Sequence, residues 1–438
     1  MAPRIVLVGA GSAQFGTATL SDIFASRLLA GSTVVLHDID AAALVRTRGR
    51  AAAFVAEHGL DFRLEAVADR RAALAGADFC IVSIEVGDRF ALWEQDWRLP
   101  QQFGLRQVYG ENGGPGGLFH TLRVVPPLLD ICADIERLCP RALVLNYTNP
   151  MTRVCLAVAR SHPGLRFVGL CHEVASLGRH LPHLLERDLD ELEFRAGGLN
   201  HFSFLLELRD RQGADLYPQL RRRAPEYFRR QRGDAAELLR LLGEPLPPPR
   251  DFEERHLFAW LLESLGYLPI TTDSHLGEYL GWAWRLVDHR GIAGFFTAYR
   301  DYCRRLQPRL ELRPSGERAV PIIETLVAGR QLDERAVNLP NHGLIDNLPR
   351  DLVVEVPGRV TAAGVQGVAL GRLPAGLAAL MQAQYPAVDL AVEAARRGSH
   401  RLALQALLAD PVVDDAAAAA GLLDAMIELQ RPYLDYLK

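Results

Sequence analysis

Residues 5–16 read IVLVGAGSAQFG, an apolar run that passes directly into a glycine-rich turn. A helical pattern follows, with apolar residues at Leu20, Ile23 and Leu28. A buried strand, a glycine turn and a helix in this order are typical of a dinucleotide-binding segment, in which N–H groups at the helix N-terminus face a pyrophosphate. Because Gln14 replaces the third glycine of the usual fingerprint, the turn needs support from its surroundings.

Support comes from the next predicted strand, Thr33 to Leu36, which leads into Asp38. An acid at this point reaches the ribose of a bound dinucleotide and favours NAD over NADP. The alternative interpretation is a turn whose glycines only permit tight packing. We expect a cofactor site that includes Asp38 and five residues of the turn. These are Gly9, Gly11, Ser12, Gln14 and Phe15.

Apolar runs of strand length recur at residues 79–84, 142–147 and 166–171, and a helical pattern covers 118–138. Alternating strands and helices predict an α/β protein with a Rossmann-type doubly wound parallel sheet, like that of lactate or malate dehydrogenase.

The pattern changes near residue 195, after which one strand-like stretch, 202–208, is followed by a mainly helical region. We therefore expect an NAD-binding domain over residues 1–195. A second, α+β and mainly helical domain over 196–438 would bind substrate and metal and form oligomer contacts.

Composition narrows the class of protein. The chain has 438 residues, 49% apolar and 23% charged, with a net charge of −4 and scattered basic residues, which disfavours nucleic acid as a partner. No apolar run approaches the roughly 20 residues that span a bilayer, and the chain enters a strand at Ile5 without a signal-like segment. Its six cysteines lack paired spacing. We expect a cytoplasmic protein that acts on small molecules.

Two segments carry candidate metal ligands: GLCHEV, residues 169–174, and GGLNHF, residues 197–202. Cys171 follows a predicted parallel strand, and the carboxyl ends of such strands face the ligand crevice. A thiolate with the imidazole of His201 suits a borderline divalent ion that keeps positions open for substrate oxygens. Taken alone, a buried cysteine and a hydrogen-bonded histidine are commoner than a metal site.

These segments together resemble glycoside hydrolase family 4. The resemblance also includes Asn149-Pro150, YGENGGPGG at 109–117 with Arg123, and NLPNHG at 338–343 followed by NLP at 347–349. It spans nearly the whole chain in order. It implies that Cys171 and His201 bind a metal ion, usually manganese.

The resemblance also implies roles for other site residues. Asn149 would lie between the cofactor and the sugar, and Glu111 and His172 would line the reaction site. Family members that act on 6-phosphorylated sugars usually carry Asp or Asn after the metal cysteine, whereas those that act on non-phosphorylated α-glycosides carry His, as here. The CHEV segment resembles α-glucosidases and α-galacturonidases, while DSHLGEY at 273–279 resembles α-galactosidases and uronidases. The sugar stays open among these three.

The reaction that the resemblance implies begins with oxidation of the sugar at C3 by NAD. A base then removes the C2 proton, the C1 group leaves, water adds and the hydride returns, while the ion stabilises charge on O2 and O3. We favour Asp273 over Tyr279 as the C2 base. The alternatives are a helix-capping role for Asp273 and a core role for Tyr279. The family also implies a homodimer or homotetramer.

Two further residues are candidates for substrate contacts. His275 is one, and it is also a candidate third group at the metal site; an isolated histidine is more often structural. Arg285 would bind the carboxylate of a uronic acid, although a solvated arginine is the commoner case. The competing functions are a hydroxy-acid dehydrogenase of the malate or lactate type, which needs no metal pair, and a non-catalytic NAD-binding protein.

Overall fold

The computed structural model describes residues 2–12, 15–230, 255–305 and 309–438, together with residues 239 and 242. Six parallel strands form the first part of a sheet, in the order β3-β2-β1-β4-β5-β6. The strands are β1 Arg4–Val8, β2 Thr33–His37, β3 Arg63–Ala66, β4 Phe79–Val82, β5 Leu143–Asn146 and β6 Arg166–Gly169. This order confirms the predicted doubly wound sheet.

Helices connect these strands. They are α1 Phe15–Ala25, α2 Ala41–Glu57, α3 Arg70–Leu74, α4 Arg89–Gln102, α5 Gly114–Leu138, α6 Met151–Ser161 and α7 Glu173–Leu185. Aspartates start α2 and α4, because the side chains of Asp40 and Asp88 each accept two N–H groups of the first turn.

The second half of the chain extends the same sheet with antiparallel strands. They are β7 Leu192–Leu199, β8 Phe202–Asp210, β9 Leu332–Pro340, β10 Val353–Thr361 and β11 Gly364–Gly367. Beyond β6 the order is β9-β10-β7-β8, with β11 paired to β10. Residue 195, where we place the domain division, lies inside β7, and the division stays a prediction.

The remaining described helices cover this half. They are α8 Tyr217–Arg230, α9 His256–Leu265, α10 Asp273–Gly277, α11 His289–Arg305, α12 Ala319–Val327, α13 Ala375–Gln382, α14 Tyr385–Arg397, α15 His400–Leu408, α16 Ala416–Leu429 and α17 Arg431–Leu434. Helix α14 packs against α5 and α6, so both halves share one apolar core. No helix in the described part of the chain combines the length and hydropathy needed to cross a membrane.

A row of four paired residues joins the two halves of the sheet. Gly169 of β6 pairs with Asn338 of β9, Asn338 with Glu355 of β10, and Glu355 with Gly198 of β7. The buried Glu355 carboxylate accepts hydrogen bonds from the side chains of Ser203 and Asn200, both at 2.9 Å, and of Asn338 at 3.2 Å. This carboxylate therefore holds β9 and the β7–β8 hairpin together.

We expect Glu355→Ala to lower the midpoint of urea unfolding clearly. The change removes the acceptor of Asn200 and Ser203 and leaves Asn338 only its long contact to the carbonyl of Gly169 at 3.5 Å, and an unpaired buried donor costs about 1–3 kcal/mol. Glu207→Ala is the matched control, because Glu207 is exposed on the neighbouring strand β8. An unchanged midpoint for Glu355→Ala would show that the network does not hold the strands.

Candidate active site

The glycine turn presses against the ends of two strands. Gly9 has a φ of +87°, and a Cβ there would lie 2.0 Å from the carbonyl oxygen of Ser83. The N–H groups of Gly9 and Ala10 both donate to the carbonyl of His37 at 3.0 Å. Only glycine fits at position 9, and the turn lies where the prediction placed it.

Gly11 and Asp38 form the other side of the turn. The N–H of Gly11 donates to Oδ2 of Asp38 at 2.7 Å, and a Cβ on Gly11 would lie 2.8 Å from the same oxygen. The missing side chain leaves the backbone open to close approach, which suits a pyrophosphate at the start of α1. Ser12 continues the turn through its N–H, which donates to the carbonyl of Gly9 at 3.0 Å.

Gly16 takes the packing role that the fingerprint assigns to its third glycine. A Cβ at this position would lie 2.5 Å from the carbonyl oxygen of Ala10, so only glycine lets α1 pack this close to the turn. The sequence interpretation passed over it because it lies two residues after the expected position. Gln14 lies outside the described residues, and so does the side chain of Phe15.

The candidate metal ligands lie side by side. Cys171 comes two residues after β6, and His201 lies in the two-residue turn between β7 and β8. The Sγ atom of Cys171 is 3.5 Å from Nε2 of His201. At bond lengths of about 2.0–2.3 Å, two ligands of one ion lie roughly 3–4 Å apart. The pair therefore fits a single divalent ion.

Glu111 and His275 adjoin this pair. One ligand atom from each of Glu111, His201 and His275 lies within 4.8 Å of the others, and all three side chains are buried. The rings of His201 and His275 are 4.4 Å apart. We call Cys171, His201, Glu111 and His275 the metal-site cluster.

Charges in the metal-site cluster are unevenly distributed. Burial alone would raise the pKa of Glu111, but Arg89, whose Nη2 lies 2.9 Å from its carboxylate, and the nearby histidines lower it to about 2. Burial and the charge of His275 lower the pKa of His201 to about 4. Burial also opposes charge on His275, yet the carboxylates of Glu278 and Glu111 raise its pKa to about 9. A neutral His201 beside an anionic Glu111 suits a divalent ion.

Three residues that the sequence interpretation did not assign to the site, Glu278, Asn112 and Arg89, position the cluster. The buried carboxylate of Glu278 accepts the N–H groups of Glu111, Asn112 and Gly113 at 3.0, 2.6 and 2.7 Å. The side-chain nitrogen of Asn112 lies 2.9 Å from Nδ1 of His201. Glu278 gave a usable signal, since it immediately precedes Tyr279, whereas Arg89 stands in no recognisable motif.

The two candidate bases have different surroundings. Asp273 is fully buried, and its two oxygens accept the N–H groups of Leu257 and Phe258 at 2.7 and 3.1 Å, in the first turn of α9. The hydroxyl of Tyr279 donates to the carbonyl of Asn200 at 3.3 Å, next to His201. Asp273 thus caps a helix, while Tyr279 contacts the turn that carries a candidate metal ligand.

Three other predicted site residues lie outside the metal-site cluster. His172 is about 43% exposed and lies 3.8 and 3.5 Å from the carboxylates of Glu173 and Glu317. Asn149 is half-buried at the start of α6, on the same edge of the sheet as Cys171. Arg285 ends an exposed 3-10 helix, Gly281–Arg285, and no contact among the described residues joins it to the metal-site cluster.

Comparison with known proteins gives a matching family. The model for family 4 glycosyl hydrolases matches residues 4–187, and the model for the C-terminal domain of that family matches residues 196–413. The chain therefore belongs to glycosyl hydrolase family 4.

Individual relatives cover the whole chain. An α-glucosidase from Erwinia rhapontici is 49% identical and covers 100% of both chains. An α-galacturonidase from Bacillus subtilis is 30% identical over 97% of both chains. Among solved structures, a glucosidase from Bacillus subtilis described as putative has a TM-score of 0.81 at 28% identity, covering 97% of this chain and 99% of its own. A 6-phospho-α-glucosidase from gut microorganisms, in complex with NAD and Mn²⁺, has a TM-score of 0.79 at 22% identity and covers 100% of both chains.

We expect Cys171→Ser and His201→Ala to weaken Mn²⁺ binding by at least tenfold while the fold remains, because the three hydrogen bonds to Glu355 come from other side chains, those of Asn200, Ser203 and Asn338. Calorimetric titration with Mn²⁺ measures the loss, and circular dichroism checks the fold. The control is Cys155→Ser, a buried cysteine on α6 that is not part of the metal-site cluster. Unchanged Mn²⁺ binding in both variants would exclude the pair as ligands.

Proposed function

We propose that this protein hydrolyses a non-phosphorylated α-glucoside with the help of NAD and a divalent ion, preferably Mn²⁺. The 3.5 Å separation of Cys171 Sγ and His201 Nε2 carries the metal part of the proposal. The open glycine turn at Gly9 and Gly11 supports NAD, as does the related 6-phospho-α-glucosidase that holds both groups. Membership of a glycosyl hydrolase family disfavours the hydroxy-acid dehydrogenase and the non-catalytic protein.

The identity of the sugar rests on two observations. The α-glucosidase relative is 49% identical, compared with 30% for the α-galacturonidase and 28% for an α-galactosidase from Bacillus subtilis. His172 follows Cys171, and the resemblance to family 4 associates a histidine at this position with non-phosphorylated α-glycosides. The exposed Arg285 does not adjoin the metal-site cluster, which gives no support to a uronic acid.

Each part of the site has a role in this proposal. When bound, NAD would supply the oxidation and return of a hydride at C3 of the sugar, and a divalent ion would polarise the sugar oxygens. Cys171 and His201 would hold the ion, the turn at Gly9, Gly11 and Ser12 would hold the dinucleotide, and Asp38 would bind its ribose. Glu111, anionic beside Arg89, would bind the sugar hydroxyls together with Asn149 and His275. His172, which follows Cys171, would line the side of the leaving group.

For the C2 proton we now prefer Tyr279 to Asp273. Both oxygens of Asp273 are engaged by N–H groups of α9, and a carboxylate held in this way is a poor base. The hydroxyl of Tyr279 lies against Asn200, the residue before His201. In this proposal Tyr279 reacts as the tyrosinate: after its hydroxyl proton has left, Oη takes the proton from C2 and later returns it. Burial and the nearby Glu278 raise the pKa of Tyr279, so the positive charge of Arg153 and of a bound divalent ion would have to favour this anion.

Hydrolysis of a nitrophenyl α-glucoside should require both NAD and Mn²⁺ and leave no net NADH, because the hydride returns to the sugar. The measurement is nitrophenol release with and without each group, after chelation and removal of nucleotide, alongside absorbance of NADH. The α-galactoside, the α-galacturonide and the 6-phosphorylated α-glucoside serve as comparison substrates.

Different outcomes separate the parts of this proposal. Full activity after removal of both groups would exclude the mechanism. A higher kcat/KM for another glycoside would exclude the α-glucoside alone. Net accumulation of NADH with a hydroxy acid would favour the dehydrogenase.

We expect Tyr279→Phe to lower kcat by at least a hundredfold, since a positioned base contributes about 10²–10⁴-fold, with little change in the urea midpoint. Asp273→Asn should instead lower the urea midpoint, because it weakens the cap of α9. Steady-state kinetics and urea unfolding of both variants decide between them. Near-normal kcat in Tyr279→Phe, with a lost kcat in a stable Asp273→Asn, would return the role to Asp273.

The setting of the enzyme is part of the proposal. A cytoplasmic location agrees with six cysteines that are all free thiols, since thiols stay reduced there. We also propose a homodimer or homotetramer, as the resemblance to the family implies, and we assign residues 1–195 to the nucleotide and 196–438 to the substrate. Cys171 and His201 then come from opposite sides of that division.

A further inference from the structure

A small cavity adjoins the metal-site cluster, since Asn112 lines the cavity and contacts His201. Its polar walls come from Asn112, Thr152, Arg153, Asn200 and Tyr279, and apolar side chains complete it. It offers about 10 Å³ to the centre of a water molecule. A buried water needs roughly 10–15 Å³ measured in this way, so the cavity has room for about one.

Four of the five polar residues carry a buried atom that lacks a hydrogen-bond partner among the described residues. These atoms are Oδ1 of Asn112, Oγ1 of Thr152, Nε of Arg153 and Oδ1 of Asn200. Buried polar atoms in proteins nearly always have a hydrogen-bond partner, because a buried atom without one lowers the stability of the fold. Four such atoms on residues around one small cavity point to a single shared partner.

The chemistry of the four atoms identifies that partner. The two amide oxygens only accept hydrogen bonds, the guanidinium nitrogen only donates, and the hydroxyl does either. The partner must therefore donate two hydrogen atoms and accept at least one. A sugar hydroxyl has one hydrogen to donate, a cation is repelled by Arg153, and an anion has no hydrogen for the amides. A water molecule donates two hydrogen atoms and accepts hydrogen bonds, so it meets all of these requirements.

We propose that the cavity is a binding site for one water molecule that orients His201. Asn112 lies 2.9 Å from Nδ1 of His201, and Asn200 is the preceding residue in the chain, tied to Glu355 at 2.9 Å. The water joins the free oxygens of these two amides and anchors them to Thr152 and Arg153 on α6. It thereby fixes the ring whose Nε2 faces Cys171, a positioning role that rests on the proposed metal site.

The first test is a crystal structure of the full chain, without sugar, at a resolution that shows ordered waters. The expected result is one density peak within hydrogen-bond distance of the four named atoms. An empty cavity, or the four atoms paired with other protein groups, would overturn the site.

The second test measures Mn²⁺ binding to variants by calorimetry and by the spin-resonance signal of the free ion. Thr152→Val removes one partner of the water, and the double variant with Arg153→Met removes two. The double variant should lose the density peak and bind Mn²⁺ about tenfold more weakly, as changes behind metal ligands do. Thr325→Val is the control, since its hydroxyl is bonded to the carbonyl of Pro321 on α12.

The results separate the two proposals. Lost water with unchanged Mn²⁺ affinity overturns the positioning role. A wild-type protein that holds the water but binds no Mn²⁺ refutes the proposed metal site and the positioning role, while the water site stands. If the double variant does not fold, Thr152→Val decides, because Val matches Thr in shape. Loss of the water with weaker Mn²⁺ binding would then support the positioning role, loss of the water with wild-type affinity would overturn it, and a retained water would overturn the assignment of Thr152 as one of its partners.

Discussion

The antiparallel pairing of β9 with β6 is the constraint on which the site depends. The first half of the sheet consists of parallel strands and ends at β6. Cys171 lies just beyond the carboxyl end of β6. Because β9 and β10 continue the sheet, β7 and its turn lie opposite that end, and His201 reaches Cys171. The buried carboxylate of Glu355 stabilises this arrangement through side chains of β8, β9 and the turn. A buried carboxylate with good hydrogen bonds favours one register, since any slip leaves its donors unpaired.

A second buried carboxylate aligns the other wall of the site. Glu278 holds three successive N–H groups at 111–113, and this segment presents Glu111 and Asn112 to His201. The glycines of the segment let its backbone pack this closely: a Cβ on Gly113 would lie 2.9 Å from the Cβ of Glu278. Glu278 also precedes Tyr279, so the same contact sets the distance between the proposed base and the metal-site cluster. Structural and chemical roles thus fall on neighbouring residues.

Five of the six parallel strands were predictable because each contains an apolar run bounded by a turn, which is the pattern that buried parallel strands show in a sequence. Strand β3 escaped prediction because it is an edge strand with alternating exposure, and β9 because its apolar residues are interrupted by charges. Glu278 and Arg89 escaped for a different reason. Glu278 contacts Gly113, 165 residues away in the chain, and Arg89 contacts Glu111, 22 residues away. Patterns among neighbouring residues do not indicate contacts at such separations.

Local order along the chain was enough to predict the nucleotide-binding half, since strand, glycine turn and acidic residue interact within about 30 residues of one another. Residue identity also pointed to a thiol and an imidazole as ligands, and resemblance to family 4 gave their pairing. Only the tertiary structure distinguishes the two candidate bases, which lie in the same seven-residue segment. Asp273 contacts the first turn of α9, whereas the hydroxyl of Tyr279 contacts Asn200. Only the tertiary structure also reveals the unpaired atoms around the small cavity, because their residues are spread from 112 to 200 along the chain. Hydrogen bonding depends on distance in space, and distance in space follows from packing of the whole sheet.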